Sequence, residues 1–373
     1  MAINEKFIEE INPPSSARSG QSVPSHSYTS AAPPLNLRTG PGTPEFLRFE
    51  DLVPVGNPQE VLEEVKKIVH LMYPAFNFNP VQDVFKDVVK LFRGEYPGYR
   101  ACNTWYHDLK HTTDCFLAMA RLIHGGFVQG TMMEERDAAL GLIAALLHDT
   151  GYIQTVQDDD GTGAKYTMVH VDRSIEFMKI YFAQHGYSSE DFLFCRNCLK
   201  CTGLDVKIGE LEFISRNNET LGQMLGTADL LGQMADLTYL ERLPFLYHEF
   251  KEGGVPGFAD ELDLLQKTPA FWEFTQKRLA GELGGVDRLM RDHFRVRWGI
   301  DQDMEREIVE RNIAYLQFIL VNHGDDYQRY LRRGGLIKIF QEMRRQCPAP
   351  SSRRDAYATW TCYRRPLAGV VSY

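Results

Sequence analysis

The sequence has no hydrophobic run long enough to cross a bilayer, no surplus of positive charge and almost no alternating β-branched segments, and each absence removes a class of protein. Its longest strongly apolar stretch, AALGLIAALL at 138–147, is about half the length a membrane helix needs and reads as a buried core helix. The opening MAINEKFIEEINPP carries acids and lacks the apolar centre of an export signal, so a cytoplasmic chain with no membrane partner is expected. Lys and Arg total 41 against 50 Asp and Glu, for a net charge of -9. That balance disfavours a nucleic-acid duplex as partner, and a small anionic ligand would need a local source of positive charge. The 7 cysteines are odd in number, and Cys195, Cys198 and Cys201 recur at the spacing of a buried helix face. Reduced core thiols are the expectation; a zinc knuckle is the lesser reading, because no second cysteine pair lies at a suitable distance.

What is present suffices for a sizeable core: 43% of the 373 residues are hydrophobic. Residues 12–44 hold seven of the 18 prolines and almost no aliphatic bulk, so residues 1–45 are expected to form a disordered leader. Helical periodicity fades again after Gln346, and 347–373 reads as a solvated C-terminal tail, with an anion-contacting arm as the alternative. Between these ends, apolar residues recur at spacings of three and four, as in PQEVLEEVKKIVHLMY, PVQDVFKDVVKLFR and VDRSIEFMKIYFAQHG. Pro58 and Pro80, each after an Asn, and Ser188 or Ser189 before acids mark helix starts, and Gly186 marks a stop. The pattern predicts an all-α fold, a single helical domain over 46–346.

Two short stretches carry chemistry. In TWYHDLKHTTD (104–114), His107 and His111 are four apart, which on one helix places both rings over the same small volume. The spacing also fits the HExxH pattern of zinc proteases, but Asp108 stands at the second position and no third ligand is apparent. In ALLHDTGY (145–152), Asp149 ends an apolar run, where an ionised carboxylate is costly unless paired or bound to a cation. His148 and Asp149 therefore read as ligands delivered to an interior cleft, the alternative being that Asp149 caps the next turn. Further on, Asp229 sits between Ala228 and Leu230 in LGQMLGTADLLGQMADLTYL, with Asp236 seven residues later on nearly the same helix face. One is expected to be a buried acid, the other exposed or paired with Arg242. Together these residues make a nitrogen and oxygen donor set suited to Zn, Fe, Mn or Mg.

The order His111, His148-Asp149, Asp229 resembles the H…HD…D signature of the HD-domain superfamily of metal-dependent phosphohydrolases. YHDLKHTTD is similar to the YHNxxHAxD segment of class I cyclic-nucleotide phosphodiesterases, with Asp108 in place of Asn. The resemblance implies an all-α HD-domain-like bundle, one or two divalent ions held by His111, His148, Asp149 and Asp229, and His107 as proton donor to the leaving oxygen. Those phosphodiesterases carry a further histidine shortly after HD, which HDTGYIQ lacks. His170 in MVHVDRSIEF resembles instead the later histidine that some HD hydrolases use at a second metal; an ordinary hydrogen-bonded core histidine is the alternative. Gln276 in FWEFTQKRL is a candidate for the glutamine that grips a purine, and Lys110 or Arg173 for contacts to phosphate, although solvated helix charges are commoner. Phe271, Trp272, Phe274, Phe294 and Trp298 read as core rather than as a base-stacking platform. The implied function is hydrolysis of a small phosphorylated substrate by metal-activated water, first a cyclic-nucleotide-type phosphodiester. A nucleotide phosphomonoester is the close alternative, and a nonenzymatic HD sensor or scaffold is the alternative from another class.

Overall fold

The computed structural model describes residues 57–131 and 133–331, so the leader 1–45 and the tail 347–373 lie outside the described residues. Those residues form helices with no strand, and the one extended pairing among them is an isolated bridge between Tyr99 and Thr155. In chain order the α-helices are α1 Pro58–Met72, α2 Asn79–Arg93, α3 Leu109–Val128, α4 Glu135–Leu147, α5 His170–His185, α6 Ser189–Lys200 and α7 Arg216–Met234. They continue as α8 Tyr239–Glu252, α9 Glu261–Ala280, α10 Leu289–Trp298 and α11 Met304–Asn322. The all-α expectation holds, and no described helix is long and apolar enough to cross a membrane.

Local signals explain most helix ends. The Asn57 side chain accepts the Gln59 N–H at 3.0 Å with Pro58 in the first turn of α1. Ser188 and Asp191 exchange side-chain and backbone hydrogen bonds at the start of α6, a cap whose loss typically costs about 1 kcal/mol. Gly186 closes α5 at φ 77, a conformation that side chains resist. Two expectations shift. Helix α2 begins at Asn79, one residue before Pro80, with Phe78 at its cap. The stretch from Thr220 to Leu243 is not one helix: α7 stops at Met234, and Asp236 accepts the Thr238 N–H at 2.9 Å and its hydroxyl at 2.8 Å. That side-chain turn competes with helix continuation, so Asp236 leaves the face occupied by Asp229.

Helix α3 is buried on every side from Cys115 to Gly126 and packs against α1, α4, α7 and α10. A helix wrapped in this way has no solvent face, and the polar groups within it are paired, Arg121 with Glu305 and His124 with His293. At Gly125 a Cβ would stand 2.0 Å from the Leu289 carbonyl oxygen, so α3 and α10 cross with their backbones touching. The cysteines of α6 behave as core thiols: Cys195 donates to the Leu140 carbonyl at 3.4 Å and Cys201 to the Asn197 carbonyl at 3.3 Å. Burial pushes all three thiols up, Cys201 to about 12, and among the described residues they join no metal-ligand group. Trp272 and Phe294 are core; Phe271, Phe274 and Trp298 are half-buried against it.

Candidate metal centre

The start of α3 and the end of α4 meet at the centre of the fold. Asp108 caps α3 by accepting the His111 N–H at 3.0 Å, which makes His111 a first-turn residue and leaves His107 outside the helix. The expectation that His107 and His111 share a helix face is therefore corrected: an Asp in extended conformation at 108 interrupts the helix between them. Their rings are nonetheless close, with centroids 5.6 Å apart, because the approach to α3 folds back over its first turn. Asp108 also accepts from Arg242 at 2.8 Å, so it is committed to structure and is no general base of the zinc-protease kind.

His148 terminates α4, and the chain then turns through Thr150–Tyr152. Ser174 of α5 pins that turn, donating to the His148 carbonyl at 2.6 Å and accepting the Gly151 N–H at 2.8 Å. Only glycine fits at 151, where a Cβ would lie 2.0 Å from the His170 carbonyl oxygen. The His148 Nδ1 donates to the Ala145 carbonyl at 2.8 Å, which turns Nε2 inward. There it meets His111 Nε2 at 3.2 Å. Asp149 Oδ2 is 3.1 Å from His111 Nε2 and 3.4 Å from His148 Nε2; Asp229 Oδ1, from α7, is 3.2 Å and 3.7 Å from the same two atoms. Asp149 makes no side-chain capping bond to the turn that follows, so the capping alternative falls away.

His111, His148 and Asp149 each offer a ligand atom within 4.8 Å of the others and could hold a metal ion. Two further features fit a cation. The buried Asp149 Oδ2 has no hydrogen bond aligned with it, although two imidazole nitrogens stand nearby. Two imidazole nitrogens also face each other and two carboxylate oxygens at once, an arrangement that a shared cation or proton satisfies. In the metal-free cluster a proton does this: burial opposes charging His148, but Asp149 and Asp229 prevail and raise it to about 10. His111 is raised for the same reasons, while burial is likewise overcome in both carboxylates, which the two histidines hold below the usual range.

Around this core lies a second layer. His170 donates from Nδ1 to the Thr167 carbonyl at 2.7 Å and brings Nε2 to 3.7 Å from Asp149 Oδ1, the oxygen facing away from His111 and His148. Gln233 donates to the backbone and side chain of Asp229 and accepts from the Tyr106 hydroxyl at 2.8 Å, fixing that carboxylate. All six histidine and aspartate residues, His107 included, are between 1% and 4% exposed.

Sequence reasoning missed Glu249 of α8. Its Oε2 accepts from His107 Nδ1 at 2.7 Å, and its Oε1 takes the backbone N–H groups of Trp105 and Tyr106, each at 2.6 Å. One buried carboxylate therefore fixes both the loop before α3 and the tautomer of His107. Burial lowers the His107 pKa, and Glu249 works against that. An acid inside LPFLYHEF was the available signal, but nothing local names its partner.

The remaining candidates are otherwise engaged. Lys110 pairs with Asp114 at 2.5 Å and Asp236 at 3.0 Å, and Asp236 also faces Arg242 at 3.6 Å, as expected of it. Arg173 donates to the Gly151 and Ile153 carbonyls and lies over the Tyr166 ring, so neither cation is the solvated helix charge envisaged. Gln276 is a half-buried residue of α9 and takes no part in the contacts just described.

A family model described as Npun_R2479-like matches residues 157–280, a span that holds His170, Asp229 and Glu249 but not His107, His111, His148 or Asp149. No curated protein and no solved structure matches the chain.

Proposed function

We propose that this chain is a metal-dependent phosphohydrolase acting on a phosphate ester of the cyclic-nucleotide phosphodiester type. The observation that carries the reading is the convergence of His111, His148, Asp149 and Asp229, from three separate helical regions, on one buried point beside a histidine held by a carboxylate. Their order along the chain is the one that resembles the HD-domain signature. The donor set, two imidazoles and two carboxylates, suits Zn, Fe, Mn or Mg, and a second ion would draw on Asp149 Oδ1 and His170. Such a cation, when bound, polarises phosphoryl oxygens and lowers the pKa of water from 15.7 towards about 7.

The chain's own groups supply the rest. Because Glu249 accepts from Nδ1, the proton available for transfer from His107 is the one on Nε2. Glu249 also favours the charged ring that must exist before the proton is given up. Proton donation of this kind to a departing oxygen is worth about 100-fold to 10,000-fold in rate. Asp149 and Asp229 concentrate negative charge where a cation replaces the proton of His148, which turns an otherwise acidic interior into a site for an anionic ester.

The test is metal analysis of the purified protein with a screen of cyclic nucleotides, bis(p-nitrophenyl) phosphate and nucleoside monophosphates. Expected is a bound divalent ion and chelator-sensitive hydrolysis of the diesters. Hydrolysis of monophosphates alone would move the substrate to phosphomonoesters, and metal without hydrolysis of any of them would contradict the enzymatic reading.

A further inference from the structure

Tyr152 stacks against two histidines that come from different parts of the chain. Its ring centroid is 4.5 Å from that of His107 with the planes 10° apart, and 4.6 Å from that of His170 with the planes 22° apart. The three ring planes are near-parallel, and their centroids form a triangle in which His107 and His170 are 6.3 Å apart. The backbone of Tyr152 is held on both sides. The turn that carries it is tied to α5 by Ser174 through Gly151 and by Arg173 through the Gly151 carbonyl at 2.8 Å and the Ile153 carbonyl at 3.2 Å. The Tyr152 carbonyl packs against Gly163, where a Cβ would stand 2.1 Å from its oxygen.

Each histidine is anchored by a hydrogen bond at Nδ1: Glu249 for His107 and the Thr167 carbonyl for His170. A hydrogen bond at one ring nitrogen fixes one direction of the ring and leaves its tilt about that direction open. A face contact fixes the plane. Anchor and face together determine where Nε2 points.

We propose that Tyr152 is a positioning residue whose aromatic face sets the ring planes of His107 and His170 together, aiming the proton donor and the candidate second-metal ligand from one fixed surface. The role rests on the reading of those two histidines given above; the stack itself does not. The role belongs to the ring, because both histidines meet its face. Phenylalanine presents the same face, so it should keep both stacking contacts.

The deciding measurement is the proton NMR of the His107 and His170 rings in the metal-free full-length protein, assigned by His107→Gln and His170→Gln. Stacking on Tyr152 shifts their ring protons upfield. Expected is that Tyr152→Phe keeps those shifts and Tyr152→Leu loses both, with thermal unfolding of each variant checking that the fold persists. If Tyr152→Leu does not fold, Tyr152→Phe decides alone by keeping or losing the shifts. In turnover, Tyr152→Leu lowers kcat by about 100-fold with KM little changed, the cost of a misaimed group, and Tyr152→Phe matches the wild type. Unchanged shifts in a folded Tyr152→Leu protein, or a Tyr152→Phe protein as impaired as Tyr152→Leu, would overturn the proposal. Absence of any hydrolysis by the wild type would sink the hydrolase reading instead, and the ring shifts would still decide whether Tyr152 sets the planes.

Discussion

At the N-terminal end of α3, His111 faces His148 with nitrogens 3.2 Å apart; further along the same helix, His124 faces His293 at 3.3 Å. Both pairs are buried and both cross from α3 to a neighbouring element. Their surroundings have opposite sign. Asp149 and Asp229 flank the first pair and overcome burial to favour protonation, whereas Arg121 and Arg297 flank the second. Burial, reinforced by Arg121, pushes His293 well below the usual histidine range, and burial with Arg297 lowers His124. Nitrogen spacing alone therefore does not make a metal site. Carboxylates at the first pair invite a cation; guanidinium groups at the second repel one, and Arg121 is itself held by Glu305 at 2.7 Å.

The sharpest way to break the comparison is at the first pair. His111→Ala should abolish both metal retention and turnover, read by metal analysis and a phosphodiester assay, while His124→Gln should leave metal content unchanged. Equal loss of metal in the two would erase the distinction. Next in size, His107→Ala should keep its metal and lose about 100-fold to 10,000-fold in kcat. Glu249→Gln should cost about 10-fold to 100-fold, as for groups that orient a functional histidine, with the alkaline limb of the pH profile, set by His107 losing its proton, moved to lower pH. An unmoved profile would remove Glu249 from the proton path.

Proton linkage separates the pairs more finely. His148 carries a proton in the metal-free protein, so a cation must displace it, and apparent metal affinity should rise about tenfold per pH unit between pH 6 and 8 for one proton released. Calorimetric titration in buffers of different ionisation heat counts that proton directly; a buffer-independent heat would mean that none is displaced. For stability the signs oppose. The folded pKa of His148 is raised, so in metal-free protein its contribution is complete below about 6.5 and is lost as pH rises towards 10. His124 and His293 have depressed values, so their contribution is present above about 6.5 and is lost as pH falls. The smallest expected effect follows: between pH 7 and 5, wild-type stability in urea should drop by about 1 kcal/mol or more, and His293→Leu should reduce that drop. An identical drop in the variant would place the acid sensitivity elsewhere.

Much of this was legible in the sequence because it was local. Apolar spacing placed the helices, and an acid at the end of ALLHD, where the ten residues before His148 are apolar, announced Asp149 without any contact being known. Asp229 stood out in the same way, as a charge between Ala228 and Leu230. What escaped reading depended on partners far along the chain or on competition within a turn. Glu249 meets His107 across 142 positions, and as one acid on an amphipathic helix it looks like any other. The cap at Asp108 and the turn at Asp236 were local, yet each is a contest between a side chain and the backbone for the same N–H, and periodicity counts only the helix's side of it. The second histidine pair was invisible for a related reason: His124 and His293 lie in separate helices, and only packing at Gly125 brings those helices together.

The central claim is that the carboxylates beside His111 and His148 make that pair a cation site. Equilibrium dialysis of the full-length protein against Zn2+ or Mn2+ tests it most directly, comparing wild type with Asp149→Ala under conditions where both are shown to be folded. Expected is at least one ion retained per wild-type chain and none in the variant. Wild-type protein that retains no ion, or a variant that retains as many, would contradict it.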